Sequence, residues 1–485
     1  MDSAPKAFTS QLRLFNSLTR TVEPFAPLRP GAVRVYSCGP TVYSYQHIGN
    51  MRAYVFTDTL SRVLSYNDFA VTHITNITDV GHLTSDADTG EDKLEKAASR
   101  EGRGALAIAK HYTKAFWRDT ESLNIRAPSR WAFATDHVDD MIAFARKIAP
   151  VHCYLLDTGL YFDTSTVPAY GSLARSEAGE VKGRIEEIPG KRHPSDFAIW
   201  RLSKPGEARQ LEWDSPWGRG APGWHLECSV MSMKYLGERF DIHTGGIDHR
   251  QIHHPNEIAQ NQAFTCSCHP GASFWMHNNF LVDRSGKLSK SAGGALLLGD
   301  LVERGYHPLA FRMMCLQAHY RRELEFSFTS LDAALTRLKR IVIALERLRR
   351  LASSDAFVGK EVSAALLDRF DAEIADDLMT PRALPILEEV LERDDIAPAE
   401  RLALVWRMDE VLGFRFDGLS RTELRIRPAG ATLDEAEVEA QLAARRILRN
   451  NKEFAEADRA RSLLEEAGVV VLDGDPLGWE WRLTA

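Results

Sequence analysis

Val33-Arg-Val-Tyr-Ser-Cys-Gly-Pro-Thr-Val-Tyr-Ser-Tyr-Gln-His-Ile-Gly-Asn50 is the stretch from which the fold is read. Residues 33–37 are apolar and β-branched enough to form a buried strand. Cys38, Gly39 and Pro40 break it. His47 to Asn50 then opens a segment in which Ala53, Phe56, Leu60, Val63 and Leu64 recur at helical spacing. Strand, glycine-bearing turn and helix together aim free backbone N–H groups at a ligand. The cysteine at the mouth offers a metal ligand and the histidine a phosphate contact; a buried thiol and an ordinary turn are the plain alternative.

The pattern continues outward from this unit. Residues 69–76 read as a second strand, followed by Thr78 and Asp79 where open α/β sheets place binding groups. Helical periodicity covers 95–123 and again 130–149. From 154 to 210 the texture changes to short apolar pieces rich in glycine, proline and charge, the mark of an inserted module. Residues 240–243 form the next strand, leading into Thr-Gly-Gly-Ile-Asp248 and then a helix bearing His253-His-Pro-Asn-Glu257. Lys287-Leu-Ser-Lys-Ser291 sits in a polar, glycine-bearing loop. Helices follow at 301–350 and 368–414, and a small module closes the chain.

Composition narrows the class. A length of 485 residues suggests about three domains, and 44% hydrophobic with 26% charged residues is the balance of a soluble globular protein. No apolar run reaches transmembrane length, so no membrane partner is expected. Six cysteines form no disulfide framework, and a reducing cytoplasm is the expected compartment. The net charge of −7 speaks against a nucleic-acid partner only in bulk, because binding depends on where cations cluster. Residues 337–351 (RLKRIVIALERLRRL) are such a cluster, or else an ordinary solvated helix face.

Two cysteines, Cys38 and Cys228, with His253 or His254 and Glu257, make a candidate donor set. His253 and Glu257 are i, i+4 and share a helix face; His254 and Glu257 are i, i+3. Two thiolates, an imidazole and a carboxylate suit zinc. Spacing alone does not join Cys38 to Cys228, and Cys266-Ser-Cys268-His269 is a rival cluster.

HIGN followed far downstream by KLSKS resembles the paired HIGH and KMSKS signatures of class I aminoacyl-tRNA synthetases, and CGPTVY before HIGN narrows the resemblance to cysteinyl-tRNA synthetases. GWHLECS, HHPNEIAQ, SDADTGEDKLEKAA, AHYRRELEFS and DDLMTPRAL are similar to the same family, so the resemblance covers nearly the whole chain. It implies one zinc per chain on Cys38, Cys228, His253 and Glu257, with the substrate thiolate joining the metal. Magnesium is implied with ATP. Gly39, Thr41, Thr78 and Trp224 fall on the cysteine pocket. His47, Gly49, Asn50, Asp248, Lys287, Ser289 and Lys290 fall on the ATP site, and His47, Asn50, Lys287 and Lys290 carry the catalytic roles. Arg449, Phe454, Asp458 and Asp473 fall on the anticodon-reading module.

The implied fold class is α/β: a Rossmann-like catalytic domain at 1–300 with an inserted module at about 130–212, a stem-contact bridge at 301–350, a helical bundle at 351–428 and a small domain at 429–485. The implied partners are tRNA(Cys), ATP and L-cysteine, with the chain a cytoplasmic monomer. Three positions depart from the signatures. Asn50 replaces the last histidine of HIGH, Leu288 replaces methionine, and Ser291 is followed by Ala-Gly-Gly. Phe454 stands where the family often has tryptophan. Two other readings remain open here: a cysteine:amino-sugar ligase of mycothiol synthesis, which shares the catalytic and zinc motifs, and a catalytically silent zinc- or RNA-binding paralogue.

Overall fold

Strand Ala32–Ser37 does become the centre of a sheet. The computed structural model describes residues 10–81, 93–174, 188–204, 206, 209–283, 286–287, 296–352 and 360–484. Five parallel strands lie in the order Ala272–Asn278, Phe240–Gly246, Ala32–Ser37, Ala70–Ile77, Arg130–Phe133. Chain order therefore reverses between Ala32–Ser37 and Phe240–Gly246, and the crevice beyond their carboxyl ends is where such sheets bind ligands. Helix Ile48–Tyr66 starts at that crevice, with His47 as its N-cap. Its core-facing residues Met51, Val55, Leu60, Val63 and Leu64 are all buried, as the helical spacing requires.

The expected module boundary near 130 is displaced. Arg130–Phe133 pairs in parallel with Ala70–Ile77 and belongs to the central sheet. Helix Val138–His152 follows it, so the periodicity seen from 130 begins with a strand. The separate four-stranded antiparallel sheet is built from Cys153–Leu156, Gly159–Phe162, Phe197–Leu202 and Gly220–Pro222. Short buried strands hide in periodicity because one alternating pair fits both patterns. The helical run from 95 is likewise two helices, Lys93–Glu101 and Ala105–Ser122, parted at Gly102, whose φ is +62°.

Beyond the sheet, helices Phe328–Ala352, Lys360–Ala375, Thr380–Glu392 and Pro398–Leu412 pack into a bundle continuous with the core of the first domain. Buried Arg312 pins the junction. It donates to Asp58 of the first helix and to the carbonyls of Leu123 and Leu412. Residues Glu435–Asn450, Phe454–Glu466, Val469–Val471 and Trp479–Trp481 form a last module with a core of its own around Val438, Leu442, Leu464, Trp479 and Trp481. Among the described residues no helix is long and apolar enough to cross a membrane.

Candidate active site and metal centre

A cleft of about 610 Å³ opens at the reversal point. Its walls include Cys38, Gly39, Thr41, His47, Gly49, Asn50, Trp224, Cys228, Asp248 and His253. Sheet topology brings the cysteines together. Cys38 follows Ala32–Ser37, and Cys228 rides helix Trp224–Leu236, which leads into the adjacent parallel strand Phe240–Gly246. The two thiols lie within 4.8 Å of each other, and burial pushes the Cys38 thiol well above its ordinary value.

Cys38, Cys228, His253 and Glu257 present ligand atoms that all lie within 4.8 Å of one another. Glu257 is oriented for the purpose: His243 Nε2 lies 2.8 Å from Oε2 and holds that oxygen. Its other oxygen, Oε1, is buried and accepts no hydrogen bond among the described residues, although His253 Nε2 is 3.1 Å away. Two electron-pair donors converging on one buried point suit a cation. His225 Nδ1 sits 2.9 Å from His253 Nδ1, and Trp224 stacks on the His253 ring at 4.1 Å, so ring tilt and tautomer are both constrained.

A second set shares two of these residues. Cys38, His243, His254 and Glu257 also fall within 4.8 Å. His254 Nε2 is 3.4 Å from Cys38 Sγ, and its Nδ1 is 2.8 Å from His277 Nε2. Burial drives His254 and His277 well below the usual histidine range, so both stay neutral. Sequence reading weighed His254 as a substitute for His253 but missed His225, His243 and His277. A histidine in the middle of a short central strand, as in Phe240–Gly246, was the available signal. The rival Cys266 and Cys268 are exposed free thiols at the end of helix His253–Thr265, and neither joins a donor cluster among the described residues.

Gly39 is dictated by space, since a Cβ there would fall 1.6 Å from the Asn76 carbonyl oxygen. Thr41 lines the cleft, whereas Thr78 lies one layer behind it, 2% exposed. There its backbone braces the loop through Pro40 and Val42, and its hydroxyl donates to Glu227. Burial raises the Glu227 carboxyl to about 8.

At the helix end of the cleft, Asn50 N–H donates to His47 Nδ1 at 3.2 Å, which leaves the neutral ring's proton on Nε2. A side chain at 49 would crowd that ring, with Cβ 2.9 Å from Nδ1; Gly49 makes room for the histidine as well as for a ligand. Asp248 follows Gly246, where a Cβ would meet the Asp248 carboxylate at 2.4 Å. Ser289 and Lys290 lie outside the described residues, and Lys287 is described only through its backbone, in the strand Gly286–Lys287.

In the terminal module Phe454 is 59% exposed at the first turn of its helix, with Asp458 one turn on. Asp473 is less open than expected. Arg445 binds it through two hydrogen bonds, and Arg449 and Arg461 lie at 3.0 and 3.3 Å. The Arg445 hydrogen bond leads the causes that hold its carboxyl at about 2.

Residues 24–336 match the family described as tRNA synthetases class I (C) catalytic domain, and 435–482 match the cysteinyl-tRNA ligase anticodon binding domain. The cysteine–tRNA ligase of Novosphingobium aromaticivorans is 60% identical over 99% of both chains. The chain belongs to the cysteine–tRNA ligase family. Its counterpart in Zymomonas mobilis is 54% identical, over 99% of this chain and 98% of that one. The methionyl-tRNA synthetase of Mycobacterium tuberculosis, solved with methionyl-adenylate, shares the fold at 15% identity and a TM-score of 0.54, over 79% of this chain and 90% of that one. Family membership agrees with the class I sheet described above and with a separate terminal module.

Proposed function

We propose that the chain activates L-cysteine with ATP to cysteinyl-adenylate and transfers the cysteinyl group to tRNA(Cys). The observation that carries this reading is the Cys38, Cys228, His253 and Glu257 set opening into the cleft beside the first turn of helix Ile48–Tyr66. Amino-acid selection and phosphate binding then share one crevice. Cys38, Cys228 and His253 line the cleft, while His243 and His254 are not among its lining residues. The first set is therefore the one a substrate thiol reaches. Zinc held there supplies a preference for a soft, readily ionised thiolate over a hydroxyl.

Attack of an ionised carboxylate on the α-phosphorus asks little of a general base; positioning and charge neutralisation carry the step. In this reading His47 Nε2–H and the positive end of the helix dipole face the phosphates, with magnesium accompanying ATP. Asp248, in the turn after Phe240–Gly246, accepts from the ribose hydroxyls in this reading. Lys287 and Lys290, with Ser289 between them, bring positive charge to where negative charge develops on the phosphates. Gly39, Thr41, Thr78 and Trp224 shape the amino-acid end.

Arg449, Phe454 and Asp458 take the anticodon in this reading: Phe454 as a stacking face and the other two at base edges. Asp473 gathers Arg445, Arg449 and Arg461, and so sets the reading arginine before RNA arrives. The bridge helix Phe328–Ala352 supports the same partner. Arg337 and Lys339 are tied to Glu388 and Glu480, while Arg340, Arg347 and Arg350 stay on the exposed face beside Ile343. The terminal module also favours tRNA over a small amino-sugar acceptor.

Cysteine- and ATP-dependent pyrophosphate exchange, with and without a chelator, tests the assignment; a chelator-insensitive exchange would remove the metal from it. Lys290→Ala should lower kcat for exchange about 10²-fold, the scale of one lost charge-stabilising donor. Loss of ATP affinity alone, with kcat kept, would make Lys290 a uniform binder instead.

A further inference from the structure

Arg52 lies on the first helix, one turn beyond His47, and is 2% exposed. Among the described residues its guanidinium donates hydrogen bonds to backbone carbonyls alone. Nη1 donates to Asn279 at 2.9 Å and to Phe280; Nη2 donates to Arg322 at 2.5 Å and to His319 at 3.5 Å. Residues 278–281 edge the cleft where the chain leaves the central sheet. Strand Leu281–Asp283 starts there and pairs on one side with Gly286–Lys287 and on the other with Leu324–Glu325. Arg52 thus grips the root of the strand pair that carries Lys287.

The far end of the same segment returns to the same helix. Ile48 N–H donates to the Leu296 carbonyl at 2.9 Å, and His47 bridges to Leu297. The described residues on either side, Asn279–Phe280 before Lys287 and Leu296–Leu297 beyond Lys290, are therefore both tied to the helix that presents His47 and Asn50. A planar guanidinium suits the entry stem because its fixed fork can span two separate runs of carbonyls, which a lysine ammonium cannot do with the same geometry.

We propose that Arg52 is a positioning residue for the activation step, setting the register between the lysine segment and the phosphate-facing end of the helix. Displacement of a charge-stabilising group by about 1 Å costs about 10²-fold in rate, so a clamp at the root of the segment bears on chemistry without touching substrate. The proposal rests on Lys290 acting in activation, and the test separates the two.

The experiment is a double-mutant cycle in the full-length, metal-loaded protein, read by pyrophosphate exchange. Arg52→Ala should lower kcat at least thirtyfold, with metal content and the KM for cysteine within twofold of wild type. In a Lys290→Ala background the same change should cost less than threefold, because the group it positions is gone. Arg52→Lys, which keeps the charge and much of the volume, should recover less than a third of the lost rate. Full additivity in the cycle, or recovery by Arg52→Lys, overturns the proposal. A Lys290→Ala protein with wild-type kcat would instead fault the role given to Lys290. Should Arg52→Ala lose metal or unfold, the cycle is run with Arg52→Lys, where additive effects again overturn it.

Discussion

Cys228→Ala is expected to lose the tightly held metal and to cut kcat/KM for cysteine in pyrophosphate exchange about 10³-fold, about 4 kcal/mol. The size follows from what the site selects. A pocket judging only bulk separates close analogues by about 1–3 kcal/mol, whereas one built around a single group reaches 10⁴–10⁵. Serine differs from cysteine by one atom, so nearly all discrimination has to come from thiolate chemistry. Cys228 is 1% exposed with its thiol within 4.8 Å of that of Cys38, so its removal also takes one donor from the buried set. Activity with cysteine should fall towards that with serine. His254→Ala is the matched control, since His254 is a donor of the deeper set of Cys38, His243, His254 and Glu257 and not of the first. Metal and selectivity should survive it. The opposite pattern, metal kept in Cys228→Ala and lost in His254→Ala, would move the ion to the deeper set and out of reach of a substrate thiol.

That ambiguity shows where sequence reading stopped. The strand at Ala32–Ser37, the helix after it and the later strand from Phe240 were legible because each carries its own local pattern. Cys38 and Cys228 became neighbours only through parallel pairing of strands far apart in the chain, which no spacing rule contains. The resemblance supplied what geometry could not. Arg130–Phe133 was misplaced because four residues are too few to separate a strand from a helix by period. The buried histidines His225, His243 and His277 were invisible for a related reason: their work is done through contacts across elements, each with a partner distant in sequence. Arg52 escaped for the same cause, since its acceptors are main-chain carbonyls that any residue would offer.

Removing residues 433–485 is expected to lower tRNA charging at least 10³-fold while leaving pyrophosphate exchange within about threefold, a difference of roughly 4 kcal/mol between the two half-reactions. The module has its own core around Trp479 and Trp481 and meets the rest of the chain through Lys339 to Glu480, Arg421 to Asp475, Arg425 stacked over Trp479, and Leu483 packed against the main core. Losing it uncovers Arg421 and Arg425, which water can then solvate, and removes no residue of the cleft. Pyrophosphate exchange is thus an internal check that the catalytic half still stands. A tRNA presents its anticodon far from its acceptor end, so a distant reader adds affinity without touching activation. Phe454→Ala isolates one part of that affinity. Its ring is 59% exposed with little burial to lose, and stacking on an unpaired base is worth about 1–3 kcal/mol. The variant should keep its thermal stability and raise the KM for tRNA about 5- to 150-fold, by the same energy. An amino-sugar acceptor would need neither the module nor Phe454. Charging of tRNA by the truncated chain at the wild-type rate would show that this module does not read tRNA.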